Sequence, residues 1–140
     1  MATGLSTVWA NFVLDHVTGN VDIGTLPTPY VGLSSTKPTD TGTNITEPST
    51  GDYARVACGA SQWGPAASRG IANSAVVTFP LSTAAWLAGA AMGYWVLMDA
   101  VTAGAMIMWG TVAPPLSVTA AGATPSFAIG EFTASVPTTV

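Results

Sequence analysis

Tyr30-Val-Gly-Leu-Ser34, Ser35-Thr-Lys-Pro-Thr-Asp-Thr-Gly42, Thr43-Asn-Ile-Thr-Glu47-Pro48, Ser49-Thr-Gly-Asp52, Tyr53-Ala-Arg55-Val56: the reading of this continuous stretch decides the fold. Two short β-prone runs are held apart by a linker dense in Thr, Ser, Pro, Gly and Asp. These residues set turns by fixed φ, by positive φ and by side-chain bonds to nearby backbone. The linker is too long for a tight hairpin, so an ordered surface loop with a function is expected between two strands. Arg55 follows Tyr53 inside a strand, in a chain with only three Lys and Arg residues. A buried or interfacial pairing with a carboxylate is therefore expected for it, with Glu47 as the candidate by nearness in sequence.

Outward from this stretch, short apolar runs alternate with turn signals. Residues 53–60 read as a strand, Gln62-Trp63-Gly64-Pro65 as a turn and 66–70 as a small loop. Residues 75–79 form a strand ended by Pro80. Residues 81–93 favour a short helix by propensity, although Gly89 and Gly93 oppose a long one. Tyr94-Trp-Val-Leu-Met98 and Ala105-Met-Ile-Met-Trp109 do not alternate polar with apolar, so both read as central strands buried on two faces. Pro114-Pro115 is expected to break the chain, with strands following at 116–119, 126–129 and 131–136. Upstream, Leu5, Val8, Trp9, Phe12 and Val13 fall on one stripe of a helix at 5–16, capped by Thr3 or Ser6 and ended by Gly19-Asn20. About seven or eight short strands with turns every 8–15 residues specify a mainly β protein. The expected architecture is a single β-sandwich or jelly-roll-like barrel over 21–140, with a short N-terminal helix or arm over 1–20.

Composition narrows the function. Charged residues are 7% of the 140, against roughly 25% in an ordinary soluble domain, while hydrophobic residues are 49%. A free monomer of this make-up has few charges to keep it in solution, which points to a surface covered by partners or to a membrane. The apolar run from Ala84 to Met98 is short of a spanning helix, contains two glycines and has no basic residue after it, so no membrane is expected. A net charge of −4 argues against a nucleic-acid face. The single Cys58 lies in a strand-like run and reads as an inert core thiol.

Catalytic chemistry finds little support. Asp15-His16 lacks an accompanying nucleophile motif and reads as a surface pair at a helix C-terminus, where positive charge is favoured. The remaining acids show neither calcium-loop spacing nor a metal cluster, and Asp40, Asp52 and Asp99 read as turn caps. A carboxylate pair assembled by folding, as in a glycoside hydrolase, is the enzymatic alternative. No catalytic residue, cofactor or metal is expected.

Several elements occur in order: Val13-Leu14-Asp15-His16, Tyr30–Leu33, Lys37-Pro38-Thr39-Asp40, Glu47-Pro48, Gly51-Asp52-Tyr53-Ala54-Arg55-Val56, Asn73-Ser74, Phe79-Pro80, Trp86 and Asp99-Ala100. In these the chain resembles a family of small tailed-bacteriophage virion proteins, commonly labelled phage tail fibre protein and similar to head decoration (cement) proteins. The likeness runs to about Gly110, departs in the Ala- and Met-rich segment 84–109 and is loose in the C-terminal third. It implies a non-enzymatic structural protein of the virion, made in the host bacterial cytoplasm. A fibre shaft needs repeats or a coiled coil, and the chain has neither, so the expected role is capsid decoration, bound to the major capsid protein on the head surface. The alternative is a tail-fibre or tail-tip component bound to tail proteins. A homo-oligomer, as a trimer, is expected, and Trp9, Phe12, Lys37, Asp40, Glu47, Asp52, Arg55 and Trp86 are the candidate contact residues.

Overall fold

The computed structural model describes residues 4–22 and 24–136. In chain order the elements are β1 (Gly4–Leu5), α1 (Thr7–Thr18), β2 (Tyr30–Ser34), β3 (Val56–Ala57) and β4 (Gly70–Ala72). They continue as β5 (Val77–Thr78), β6 (Met92–Met98), β7 (Met106–Leu116), β8 (Ser126–Phe127) and β9 (Thr133–Ser135). An antiparallel sheet in the order β1-β7-β6-β2-β3 faces two short ribbons, β4-β9 and β5-β8. The protein is thus mainly β, a β-sandwich with one N-terminal helix.

The apolar runs of β6 and β7 fill the middle of the sheet, and both faces are covered. On the ribbon side Leu33, Trp95, Leu97 and Ile107 join Phe79, Phe127, Phe132 and Trp86 in the main core. On the other side Val96, Met98, Met106 and Trp109 form a second cluster, against which Ile45 and Tyr94 pack. The pairing of Leu97 with Met108 and Met98 with Met106 leaves Ile107 as an extra residue. This bulge puts Ile107 and Met108 together on the main core, which is why Met-Ile-Met-Trp shows no period of two. Trp95 pairs with Gly110 and lies so close that a Cβ there would sit 2.5 Å from the indole Nε1.

Several boundaries differ from those read in the sequence. The strand expected at 53–60 narrows to β3, because the hydroxyl of Tyr53 takes the Leu33 N–H at 2.8 Å where a ladder carbonyl would stand. The short helix expected in 81–93 is one irregular turn at Trp86–Gly89, since Leu87 and Ala88 adopt left-handed φ of 49° and 54°. Pro114-Pro115 does not break the chain: β7 runs through to Leu116 with both prolines exposed. β1 pairs only with Met108 and Trp109, so this end of β7 is an edge, where proline leaves no ladder donor missing. No separate strand forms at 116–119, where only Leu116 is extended as the end of β7, the strands expected at 126–129 and 131–136 shorten to β8 and β9, and Gly70–Ala72, read as loop and its continuation, is β4.

The helix begins two residues later than its apolar stripe. Gly4 and Leu5 are tied to the sheet edge as β1, and Ser6 is the N-cap, its Oγ accepting from the Trp9 N–H at 3.4 Å. Gly19, at φ 77°, ends the helix in the left-handed conformation.

Candidate assembly surface

The long loop turns out to be a cover for the sheet. Buried Ser34 is its hub: Oγ accepts the N–H groups of Thr36 and Thr46 and donates to the Thr36 carbonyl at 2.8 Å. Thr36 Oγ1 reaches the Asn44 carbonyl, and Asn44 Nδ2 donates to the Lys37 carbonyl. So bound, the loop lays Ile45 on the second apolar cluster and places the Lys37 ammonium 5.6 Å from the Trp109 ring centroid. The Asp40 carbonyl accepts the Thr7 N–H, which joins the loop to the first turn of α1.

The pairing expected of Arg55 is present. Its Nε and Nη2 grip both oxygens of Glu47, with Nη2 2.5 Å from Oε2. Nη1 donates to the carbonyls of Ala100 at 2.9 Å and Ala103 at 2.8 Å, in the turn between β6 and β7. The Tyr53 hydroxyl donates to Glu47 Oε1 at 2.7 Å. Side-chain exposure is 10% for Arg55 and 17% for Glu47, so this is a largely desolvated pair whose bonds are all consumed within the chain. Burial, with the Glu47 charge and hydrogen bond behind it, drives the Tyr53 hydroxyl well above its ordinary pKa. Gly32 is the condition for this arrangement: a Cβ there would run into the Glu47 carboxylate and lie 3.0 Å from the Tyr53 hydroxyl.

The eight candidate contact residues therefore divide. Trp86 is fully buried, with Nε1 donating to the Gly51 carbonyl at 3.0 Å and its ring edge-on to Tyr53. It is a core residue, because a large ring with a satisfied donor stabilises the interior more than any surface. Glu47 and Arg55 bind each other and the β6–β7 turn, and Lys37 leans on Trp109. Asp40 and Asp52 are exposed in the loop, while Asp99 caps the β6–β7 turn through a 2.7 Å bond from the Ala105 N–H. Trp9 is buried, and Phe12 stands exposed beside it at 5.6 Å between ring centroids. Sequence reasoning missed Asn73: buried, it donates to the Ala75 and Ala128 carbonyls and accepts the Phe132 N–H, holding the two ribbons together. Its only signal was the turn pair Asn73-Ser74.

Helix α1 is what remains open. Of its side chains only Trp9 is buried; Val8, Phe12, Val13, Leu14 and Val17 are exposed, Leu14 to 63% and Val17 to 77%. Beside it a groove of about 490 Å³ runs between helix and body, lined by Trp9, Val13, Leu26, Pro27, Trp63 and Met108 among others. Cys58 is buried, and its thiol is pushed up to about 11 by that burial. His16 lies exposed at the helix end, 3.8 Å from Asp22. Among the described residues no three His, Cys, Asp or Glu side chains gather where they could hold a metal ion, and no helix is long and apolar enough to cross a membrane.

No curated protein matches the chain. A family model does, over residues 4–135, from the first strand at the sheet edge to the last strand of the ribbons. The chain belongs to the family described as podophage GP4 fiber I protein gp80.

Proposed function

We propose that this protein is a non-enzymatic structural subunit of the virion that takes its place in a fibre, assembling with copies of itself as a trimer and with tail proteins. The observation that carries the reading is the match to a fibre family along nearly the whole chain. Two features support it. The polar groups Glu47, Arg55 and Tyr53 are occupied in bracing one another and the β6–β7 turn. The exposed apolar residues on α1, in a chain with 7% charge, form the kind of patch that marks a protein contact.

One observation favours capsid decoration as a second reading. The fold is compact and has no repeat from which a shaft could be built, and a compact module suits many small contacts on a lattice. Quantifying the protein in purified virions and locating a labelled copy by electron microscopy decides between them. The fibre reading expects label on the appendages and a copy number that follows the fibres. Label spread over the head, in numbers that follow the capsid lattice, overturns it in favour of decoration.

A further inference from the structure

We propose that residues 35–46 are a hinged flap, which swings off the sheet as a unit and uncovers Val96, Met98, Met106 and Trp109 while the sandwich stays folded.

The flap is bonded to itself more than to the body. Its ends meet where the Ser35 N–H donates to the Thr46 carbonyl at 3.1 Å. Inside this neck the Thr39 N–H donates to the Thr43 carbonyl, the Thr43 N–H donates to Thr39 Oγ1, and the two hydroxyl oxygens lie 2.6 Å apart. The Gly42 N–H donates to the Thr39 carbonyl, and Asn44 Nδ2 spans the loop to the Lys37 carbonyl. Thr36 Oγ1 lies 2.9 Å from Thr46 Oγ1. A loop closed at its neck and filled by its own side chains keeps its shape when it moves.

Its hold on the body is lighter. Among the described residues, hydrogen bonds fasten it at two points, Ser34 Oγ beside the neck and the Thr7 N–H at the Asp40 carbonyl. Neither is a strand ladder. Over the sheet it lays Ile45, the Lys37 ammonium and the backbone of Gly42, where a Cβ would come within 3.2 Å of the Met106 Cβ. Of residues 35–46 only Pro38 is buried. Past the neck the chain is fixed again, because Arg55 and Tyr53 grip Glu47. The hinge therefore falls at Ser35 and Thr46, between the end of β2 and the ion pair.

The two faces of the sheet are closed in different ways. The ribbons close one, with Phe79, Phe127 and Phe132 in the main core. The flap alone lies over Val96, Met98, Met106 and Trp109 on the other, so lifting it uncovers one layer of side chains and leaves the main core closed. A segment with few buried contacts and water-exposed bonds opens at far lower cost than the whole chain.

The test reads both faces in one full-length molecule. Val96→Cys places a thiol under the flap, where cysteine packs as a small apolar group. Cys58, buried in the main core, reports opening of the sandwich. Under native conditions N-ethylmaleimide should modify the introduced thiol at least about tenfold faster than Cys58, since labelling follows the population of the open state. Adding Ser34→Ala deprives the Thr36 and Thr46 N–H groups of their acceptor in the closed flap, while water serves them in the open one. It should speed the introduced thiol about tenfold further and leave Cys58 unchanged. Hydrogen exchange on the unaltered protein is the second measurement. The amides of Thr7, Thr36 and Thr46, whose bonds break together, should share one protection factor, at least about tenfold below that of the β2–β6 ladder. Equal labelling of the two thiols, or ladder-like protection at those three amides, means that the flap opens only when the chain unfolds and overturns the proposal. Three different protection factors mean a loop that melts piecemeal and overturn the hinged unit. If Ser34→Ala speeds both thiols alike, Ser34 is not the fastening.

Discussion

At Gly32 the fold and its buried charges meet. The absent side chain leaves the space in which the Glu47 carboxylate receives Tyr53 and Arg55 above strand β2. Removing one member of a desolvated pair leaves the other uncompensated, a loss of about 3–5 kcal/mol. Arg55→Ala should therefore lower the unfolding free energy by about that much in urea melts, and Gly32→Ala should also destabilise, by crowding the same carboxylate. The double variant Glu47→Ala/Arg55→Ala should cost less than the two single losses added, because no lone charge stays buried. Additive losses would show that the pair is not coupled. Two further groups set the alkaline limit. The Cys58 thiol is raised to about 11 and Tyr53 is raised as well, so the folded chain keeps protons that the unfolded chain releases. Their contribution is complete below the ordinary thiol value and is lost as pH rises, first from Cys58 towards 11 and then from Tyr53. Urea midpoints should fall above about pH 9, and Cys58→Ala should flatten the first part of that fall while Tyr53→Phe flattens the later part. A midpoint that stays level through this range in the unaltered protein would contradict the assignment.

Among the elements, those with local chemical signals were legible in the sequence and those fixed by distant contacts were not. The Ser6 cap and the Gly19 terminus bound α1 because both act within a turn of the helix. The mixed apolar runs of β6 and β7 announced central strands, since nothing but burial on two faces suits Trp95, Leu97, Met98 and Trp109 together. The Glu47–Arg55 pair was legible too, because a chain with three basic residues gives each of them few reasons to sit in a strand. The end of β3 was not, for it depends on a Tyr53 hydroxyl reaching a strand twenty residues away. Nor was the turn at Trp86, where local helix propensity yields to the bonds from the indole Nε1 to Gly51 and from the backbone N–H to Val118. The loop from Ser35 to Asp52 read correctly as ordered, yet its work is inward. It hides Val96, Met98, Met106 and Trp109, a face the composition alone would have assigned to a partner.

For the whole molecule, low charge and a short β-sandwich set where the apolar surface goes. The main core and the second cluster account for Trp86, Trp95, Trp109 and the methionines of β6 and β7, all buried or partly buried. Large apolar side chains stay exposed on the N-terminal helix, at Val8, Phe12, Val13, Leu14 and Val17, and elsewhere at positions such as Val76, Leu81 and Ile129. The base of the helix is held to the body by β1, by the Ser6 N–H bonded to the Ile107 carbonyl and by the Thr7 N–H bonded to the Asp40 carbonyl. A helix held only at its base and apolar over most of its circumference is stabilised chiefly by what packs on it. If the trimer is the state that melts, mass action links stability to concentration, since only the folded chains associate. For three copies each tenfold dilution removes about 0.9 kcal/mol per chain, which for a domain of this size lowers Tm by about 3 °C. Calorimetry over a hundredfold range of concentration should accordingly show a steady fall of Tm in wild-type protein. A variant shown to be monomeric should melt lower and at one temperature throughout, because a monomer has no such dependence. A wild-type Tm that is independent of concentration, in samples shown to be trimeric, would mean that the chains separate before they unfold.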